Sequence, residues 1–457
     1  MRNFLLEVKK DAPARLLYTE GEQRLACGER EVYVYGVADD LYKLAERPED
    51  RTVLGAYTVV ELGAQSGGCR VLQSAMGGNK TVFYLQRGET WYMFTSLRLL
   101  QQIGVPCRFC DDRDLVCEFI YNGFIRTKET LVRGVCKLLP EEYLEIADGK
   151  LRVRTLGRVE ACAQEVSLAE MYRREKAVMD RYIDLALARG EAINIAISGG
   201  YDSNLILHFL KEREVPVRAF SIGGARGLDE TAVAEQLCGH KKVAAFHKGS
   251  VGPEVRKMLW EIVTVLEGDL YERGVFLQYA LARLLREHQV DCILLGECAD
   301  QVFNRNFYID KKPDYLTNYT DHPYELGTMV VLKKSALMLD AFGVTGLCPF
   351  ICREMQMLGA QTMEENGTSK AQQKQMCVAY FDEETNRLVG KNPGSTSLCS
   401  LFADEADEAA FICDVQQNNE FYAPKFRISY KYGPGESELD YYLCLEYLRV
   451  FKEVFCK

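Results

Sequence analysis

Ile193-Asn194-Ile195-Ala196-Ile197 runs straight into Ser198-Gly199-Gly200-Tyr201-Asp202-Ser203, an uncharged apolar stretch followed by a polar, glycine-bearing one. The first reads as a strand covered on both faces. From Asn204 to Arg213 the apolar residues recur at helical spacing, so the polar stretch is a loop between a strand and a helix N-terminus. The rhythm continues downstream. Val217 to Ser221 reads as a strand, Thr231 to Gly239 as a helix and Val243 to Phe246 as a third strand. Helices from Val255 to Leu266 and from Phe276 to His288 lead to the strand Asp291-Cys292-Ile293-Leu294-Leu295. Strands alternating with helices predict a parallel sheet and an α/β domain.

Upstream the pattern differs. To about residue 150 the chain reads as short strands separated by turns, with brief helical stretches. Thr81 to Leu85 and Trp91 to Thr95 are rich in β-formers, and Arg87-Gly88-Glu89 between them predicts a hairpin. Tyr143-Leu144-Glu145-Ile146 before the turn Asp148-Gly149 reads as a last strand. Helical spacing without Gly or Pro sets in from Leu168 to Ala188, which places a boundary near 150 to 167 and two domains at 1–155 and 165–457.

Composition narrows the classes. A chain of 457 residues, 47% hydrophobic, can bury a sizeable core, and no stretch is apolar for long enough to act as a signal peptide or to span a bilayer. The 17 cysteines are scattered and, without an export signal, predict reduced thiols and a cytoplasmic location. A net charge of −10 argues against nucleic acid as the main partner, because that affinity comes from Lys and Arg neutralising phosphates. The stretch from about Thr362 to Ser400, rich in polar residues, Gly and Lys, reads as a mobile segment near a site.

In an open parallel sheet, ligands bind beyond the carboxyl ends of the strands, which is where Ser198 to Ser203 lies. Gly199 and Gly200 let the backbone approach phosphate oxygens, Ser198 and Ser203 offer hydroxyls, and the following helix adds partial positive charge. Asp202 would repel bare phosphate but suits a magnesium ligand. The plainer alternative is that Ser-Gly-Gly is a turn and Asp202 a helix N-cap. A second loop, Gly296-Glu297-Cys298-Ala299-Asp300, follows another buried strand and puts Glu297 and Asp300 on the same sheet edge, where two acidic loops can share a metal.

The loop Ser198 to Ser203, Phe220-Ser221-Ile222-Gly223 with Asp229-Glu230, the loop Gly296 to Asp300 and Cys348-Pro349-Phe350 resemble, in order and spacing, the synthetase domain of asparagine synthetases. The same pattern is similar to that of β-lactam synthetases and lasso-peptide cyclases, and spans roughly residues 168 to 400. The resemblance implies an ATP-pyrophosphatase (adenylating) domain using ATP and magnesium. Carried over, it makes Ser198, Gly199, Gly200, Tyr201, Asp202 and Ser203 the pyrophosphate loop, and Ile197, Ile222, Leu295 and Gly296 the adenosine-side contacts. Asp202 and Asp300 become magnesium ligands, and Glu297 the acidic residue that orients or deprotonates an attacking amine. Lys391, in Gly390-Lys391-Asn392-Pro393, matches a late lysine that stabilises charge at the reacting centre, with Lys370 and Lys374 as competitors. The chain departs from the family after Asp300, where Gln301 and Phe303-Asn304-Arg305 replace a usual Glu and later glycines.

Residues 76 to 149 resemble the back half of the glutamine-hydrolysing domain of asparagine synthetases, which implies a smaller α+β Ntn-hydrolase-like domain. That chemistry needs an N-terminal cysteine, whereas position 2 is Arg2 and the first cysteine is Cys27. The expectation is a degenerate glutaminase beside a working ligase. Its reaction would join a small-molecule or peptide carboxylate to an amine that is free or part of the substrate, as in intramolecular cyclisation in peptide or natural-product biosynthesis. A non-catalytic ATP-binding scaffold is the alternative, and an RNA-modifying enzyme a third reading that the acidic balance disfavours.

Weaker signals stand beside these. Cys107, Cys110 and Cys117 make half a zinc pattern and read as free thiols, as do Cys348 and Cys352. His240 and His247 bracket the third strand and read as surface or core residues. Glu267, Asp269 and Arg273 read either as part of an active-site closure or as a solvated charge cluster.

Overall fold

The structure, a computed structural model, describes residues 2–9, 12–63, 68–74, 80–157, 165–226, 229–303, 331–362, 370–391, 401–422 and 438–456. The N-terminal part forms two antiparallel sheets. One has the order β2 (Arg15–Glu20), β1 (Asn3–Lys9), β8 (Thr90–Phe94), β7 (Phe83–Arg87) and β9 (Cys136–Lys137). The other runs β11 (Lys150–Thr155), β10 (Glu142–Ala147), β6 (Cys69–Gln73), β5 (Gly55–Leu62), β4 (Arg30–Ala38) and β3 (Glu22–Cys27). The expected hairpin is β7–β8, closed by Gly88 at φ 60°, where a residue without a Cβ takes the left-handed turn.

Strand alternation explains the layering. In β1, Phe4, Leu6 and Val8 point between the two sheets and meet Val60, Val71 and Leu144, while Leu5 points the other way. Leu5, Phe83, Leu85 and Phe94 pack against α7 (Val255–Leu266), α8 (Val275–Glu287) and the last described helix (Glu438–Phe455), so one apolar core crosses from the antiparallel part to the next.

From Leu168 the architecture is α/β. A parallel sheet has the order β14 (Ala245–Ser250), β13 (Val217–Gly223), β12 (Ile193–Ala196), β15 (Cys292–Leu294) and β16 (Thr345–Leu347). One face packs Ile193, Ile195 and Leu294 on α4 (Leu168–Leu187) and α5 (Tyr201–Glu212); the other packs Phe220, Ile293 and Leu295 on α7 and α8. Because β12 is central, the chain leaves it toward β13 on one side and returns as β15 on the other. The loops after β12 and β15 therefore diverge around one crevice at the carboxyl edge, the switch point where open α/β sheets bind ligands.

Sequence and structure differ in detail. The third strand starts at Ala245, two residues later than read, and the edge strand β16 was too short to register. The polar stretch after Thr362 contains two helices, Lys370–Tyr380 and Glu383–Val389, while residues 363–369 and 392–400 of it lie outside the described ones, as do Asn304 and Arg305.

Glu267, Asp269 and Arg273 tie parts of the chain together and do not form a solvated cluster. Asp269 is buried against Lys137 at 3.3 Å and Lys333 at 3.6 Å and accepts from Thr81. Glu267 accepts from Ser96 Oγ at 2.5 Å, and Arg273 pairs with Asp440 at 3.1 Å. Arg2 donates to Thr345 Oγ1 at 2.5 Å, at the head of β16.

Candidate active site

The loop after β12 is folded by its own hydroxyls. The Ser198 amide donates to Ser203 Oγ at 3.1 Å, the Gly200 amide to Ser198 Oγ at 3.2 Å, and Asn204 Nδ2 to the carbonyls of Ser198 and Gly200 at 3.1 and 2.7 Å. The Gly199 amide donates to the Glu230 carboxylate at 3.2 Å, so it already faces an anion. Helix α5 begins at Tyr201, and its amide end adds partial positive charge to the same place. The loop is thus held by side-chain hydroxyls, with one amide, that of Gly199, turned toward a carboxylate.

The second loop fits against the first through Gly296. A Cβ there would stand 2.9 Å from the Ser203 nitrogen and 3.1 Å from its Cα, so only glycine allows the two backbones this close. Cys298 is left-handed at φ 70°, an unfavourable state for a non-glycine residue, in the turn between Glu297 and Asp300. Both loops thus present carboxylates to one cation: Lys370 Nζ lies 2.5 Å from Asp202 Oδ1 and 3.0 Å from Asp300 Oδ1. Burial raises the Asp202 carboxyl, with Lys370 opposing and Asp300 reinforcing the shift. Burial also disfavours the Lys370 ammonium, but the two carboxylates outweigh it and hold the proton firmly.

Glu297 turns away from that pair. Its Oε1 accepts from Gln278 Nε2 at 2.9 Å and from Ser335 Oγ at 3.4 Å, and its carbonyl accepts from Cys348 Sγ at 2.9 Å. Burial raises its carboxyl, and the nearby Lys334 ammonium, itself 2.7 Å from Glu272, pulls it back. Ser335 and Lys334 come from the helix α10 (Lys333–Ala341) and were not singled out in the sequence. A charged Lys333-Lys334 pair opening a helix at the domain interface was the available signal.

The other expected residues sit as follows. Ile197 and Leu295 have their side chains in the core, at 3% and 2% exposure, so only their backbone can meet a nucleotide; Ile222 is half-buried. Tyr201 packs with Leu388 and Val389 and carries the Lys374 ammonium 5.1 Å above its ring. Lys391 is exposed at the end of the Glu383–Val389 helix, near Glu384. The lysine brought to the carboxylates is Lys370, because the helix it opens packs against α4 and α5 at the sheet edge. His240 bonds Asp382 at 2.8 Å, and His247 stacks on Phe220 and His288.

Asp202 and Asp300 reach the same ammonium and so can reach one divalent ion, which matches the one or two protein carboxylates that magnesium takes beside phosphate oxygens. No cluster of three or more His, Cys, Asp or Glu is found among the described residues. No described helix is long and apolar enough to cross a membrane.

Residues 177–384 match the family model described as asparagine synthase. That segment includes both acidic loops and Lys370 and stops short of Lys391. Asparagine synthetase [glutamine-hydrolyzing] 1 of Bacillus subtilis (strain 168) is 22% identical over 247 residues, 54% of this chain; the alignment spans only 39% of that relative's length. Among solved structures, NMN synthetase from Francisella tularensis overlaps 50% of this chain and 92% of its own at 14% identity, with a TM-score of 0.22. Glutamine-dependent NAD+ synthetase from Acinetobacter baumannii, solved with ADP, overlaps 79% and 78% at 11% identity and a TM-score of 0.24.

Proposed function

From an asparagine synthetase-like segment at residues 177–384, we infer that this chain is an ATP-dependent carbon–nitrogen ligase that adenylates a carboxylate and passes the acyl group to an amine. The observation that carries the reading is the convergence of Asp202, Asp300 and Lys370 at the carboxyl edge of the sheet, beside a glycine loop at a helix N-terminus.

In this reading the acyl carboxylate attacks the α-phosphate of ATP and pyrophosphate leaves. The amides and hydroxyls of Ser198 to Ser203 hold the leaving pyrophosphate, with α5 adding its dipole. Asp202 and Asp300 would hold magnesium, which screens the triphosphate charge when bound. That leaves the Lys370 ammonium free to swing from the carboxylates to a phosphate oxygen, a charge held in reserve for the transition state. We assign the lysine role to Lys370 in place of Lys391 on this geometry. Glu297, raised by burial and fixed by Gln278 and Ser335, accepts a proton from the amine as it attacks the acyl-adenylate and AMP departs.

The N-terminal sheets act as a degenerate amidotransferase-like domain, with boundaries near 1–155 and 165–457. The amine then comes free or with the substrate, and an internal amine would make the product a ring. The test is AMP and pyrophosphate release from magnesium ATP across pooled amino-acid, peptide and amine substrates. Substrate-dependent AMP that is lost in Asp202→Ala supports the ligase; ATP binding without AMP from any pool points to the scaffold alternative instead.

A further inference from the structure

We propose that a cavity between the antiparallel and α/β parts, capped by Arg51 and Arg353, is a binding site for a short-chain organic carboxylate. The cavity, of about 30 Å³, is bordered from the N-terminal side by Arg51, Leu54 and Ser74 and from the other by Leu332, Ile351 and Arg353. Both domains build it, and it lies outside the crevice of the adenylating site. An apolar group of Cys298, Cys348, Ile351 and Leu332 stands between the cavity and the acidic loop.

Charge is the unusual feature. Burial disfavours the Arg51 guanidinium, and although Glu141 supports it, the Arg353 guanidinium is close enough to disfavour it further. Arg51 spends its donors on Glu141 and on the Gly157 carbonyl at 2.5 Å. Arg353 is different: its Nη1 is buried with no hydrogen-bond partner among the described residues, and the neighbouring Glu354 turns Oε1 to Arg181 at 3.2 Å while its Oε2 is likewise buried without a partner. Arg353 also opens the helix Arg353–Gln361, whose positive end adds to the same field. A guanidinium with a buried, unused donor at the border of an enclosed space, beside a second one that Glu141 already pairs, is costly unless an anion enters.

The walls choose the anion. A planar carboxylate matches a guanidinium fork with two parallel hydrogen bonds, and its short carbon body can rest on Leu54, Leu332 and Ile351. Inorganic phosphate would leave oxygens against those apolar walls without donors. The space admits roughly two to four heavy atoms, the size of acetate. A ligand shared by both domains would clamp the interface one layer behind Glu297, whose carbonyl accepts from the cavity-lining Cys348.

The experiment is thermal unfolding of the full chain titrated with sodium acetate, sodium phosphate or sodium chloride at matched ionic strength. Acetate should give a saturable rise in Tm, as a ligand selective for the folded state must, and the other salts none. The midpoint should weaken by at least about tenfold in Arg353→Met, which keeps the apolar stem. Ala336→Leu, which fills the cavity without touching charge, should lose the response, and this variant decides the matter if Arg353→Met fails to fold. The response should persist in Asp202→Ala, which separates this cavity from the adenylating site. No saturable rise, an equal rise with chloride, a stronger one with phosphate, an unchanged response in Arg353→Met and Ala336→Leu, or loss in Asp202→Ala alone would overturn the assignment.

Discussion

Lys370 Nζ lies 2.5 Å from Asp202 Oδ1 across 168 residues of sequence, with Asp300 Oδ1 on its other side at 3.0 Å. An ammonium between two carboxylates occupies the position a divalent ion would take, so lysine and metal compete for the same oxygens. Lys370→Met should therefore bind magnesium more tightly in the absence of nucleotide and yet lose AMP formation by about a hundredfold or more, since a positioned charge is gone from the transition state. Lys391→Met should leave turnover nearly unchanged. Calorimetric magnesium titration and AMP release check both, and the assignment fails if Lys391→Met is the dead variant.

Glu297 should separate the two half-reactions. Glu297→Gln keeps substrate-dependent pyrophosphate exchange but slows amide formation by about a hundredfold or more, because it retains shape and loses the base. Burial raises the Glu297 carboxyl, so the acid limb of the amide-forming step lies above the ordinary carboxylate range and activity climbs as pH rises through it. Lys334 lowers that carboxyl while Glu272 and Asp300 raise it, so Lys334→Met should move the limb to higher pH. A limb that stays in place would show that another group controls the step.

Gly296→Ala tests the contact between the loops. Its Cβ would meet the Ser203 nitrogen at 2.9 Å, and backbone cannot retreat as a flexible side chain could. The start of α5 must shift, so ATP affinity should fall by about tenfold or more while denaturant stability drops by only about 1–3 kcal/mol. Unchanged nucleotide binding would mean that this edge does not hold the phosphates.

What could be read in advance depended on how local the cause was. The strand Ile193 to Ala196, the loop and α5 follow from neighbours in sequence, as do the hairpin at Gly88 and the bounds of the Val255–Leu266 helix. The choice of lysine was not local. Lys370, Lys374 and Lys391 share a polar stretch, and only the packing of a helix against α4 and α5 puts one of them on the carboxylates. The partners of Glu297 were hidden for the same reason, since Ser335 and Lys334 arrive from 38 and 37 residues away on a helix whose own pattern speaks of burial. The solvated reading of Glu267 and Asp269 failed because charged residues before a helix look solvated until a second domain covers them.

Glu175 carries a prediction about stability. It is fully buried on α4, beside Gln373 at 3.4 Å and within the fields of Lys370 and Asp202. Burial pushes its carboxyl up to about 8 from an ordinary 4.5, with Gln373 and Lys370 opposing and Asp202 adding to the rise. Below pH 4.5 the group is neutral whether the chain is folded or not. Between there and pH 8 only the unfolded chain releases the proton, so stability falls as pH rises, and above pH 8 the full cost of a buried carboxylate is present. Glu175→Gln keeps the amide shape without the charge. Its unfolding free energy should match the parent near pH 4.5 and exceed it by on the order of a few kcal/mol at pH 9. Denaturant melts at the two pH values decide this. A variant less stable than the parent at pH 9 would mean that the carboxylate is held charged by Lys370, and that the ammonium is shared among Glu175, Asp202 and Asp300.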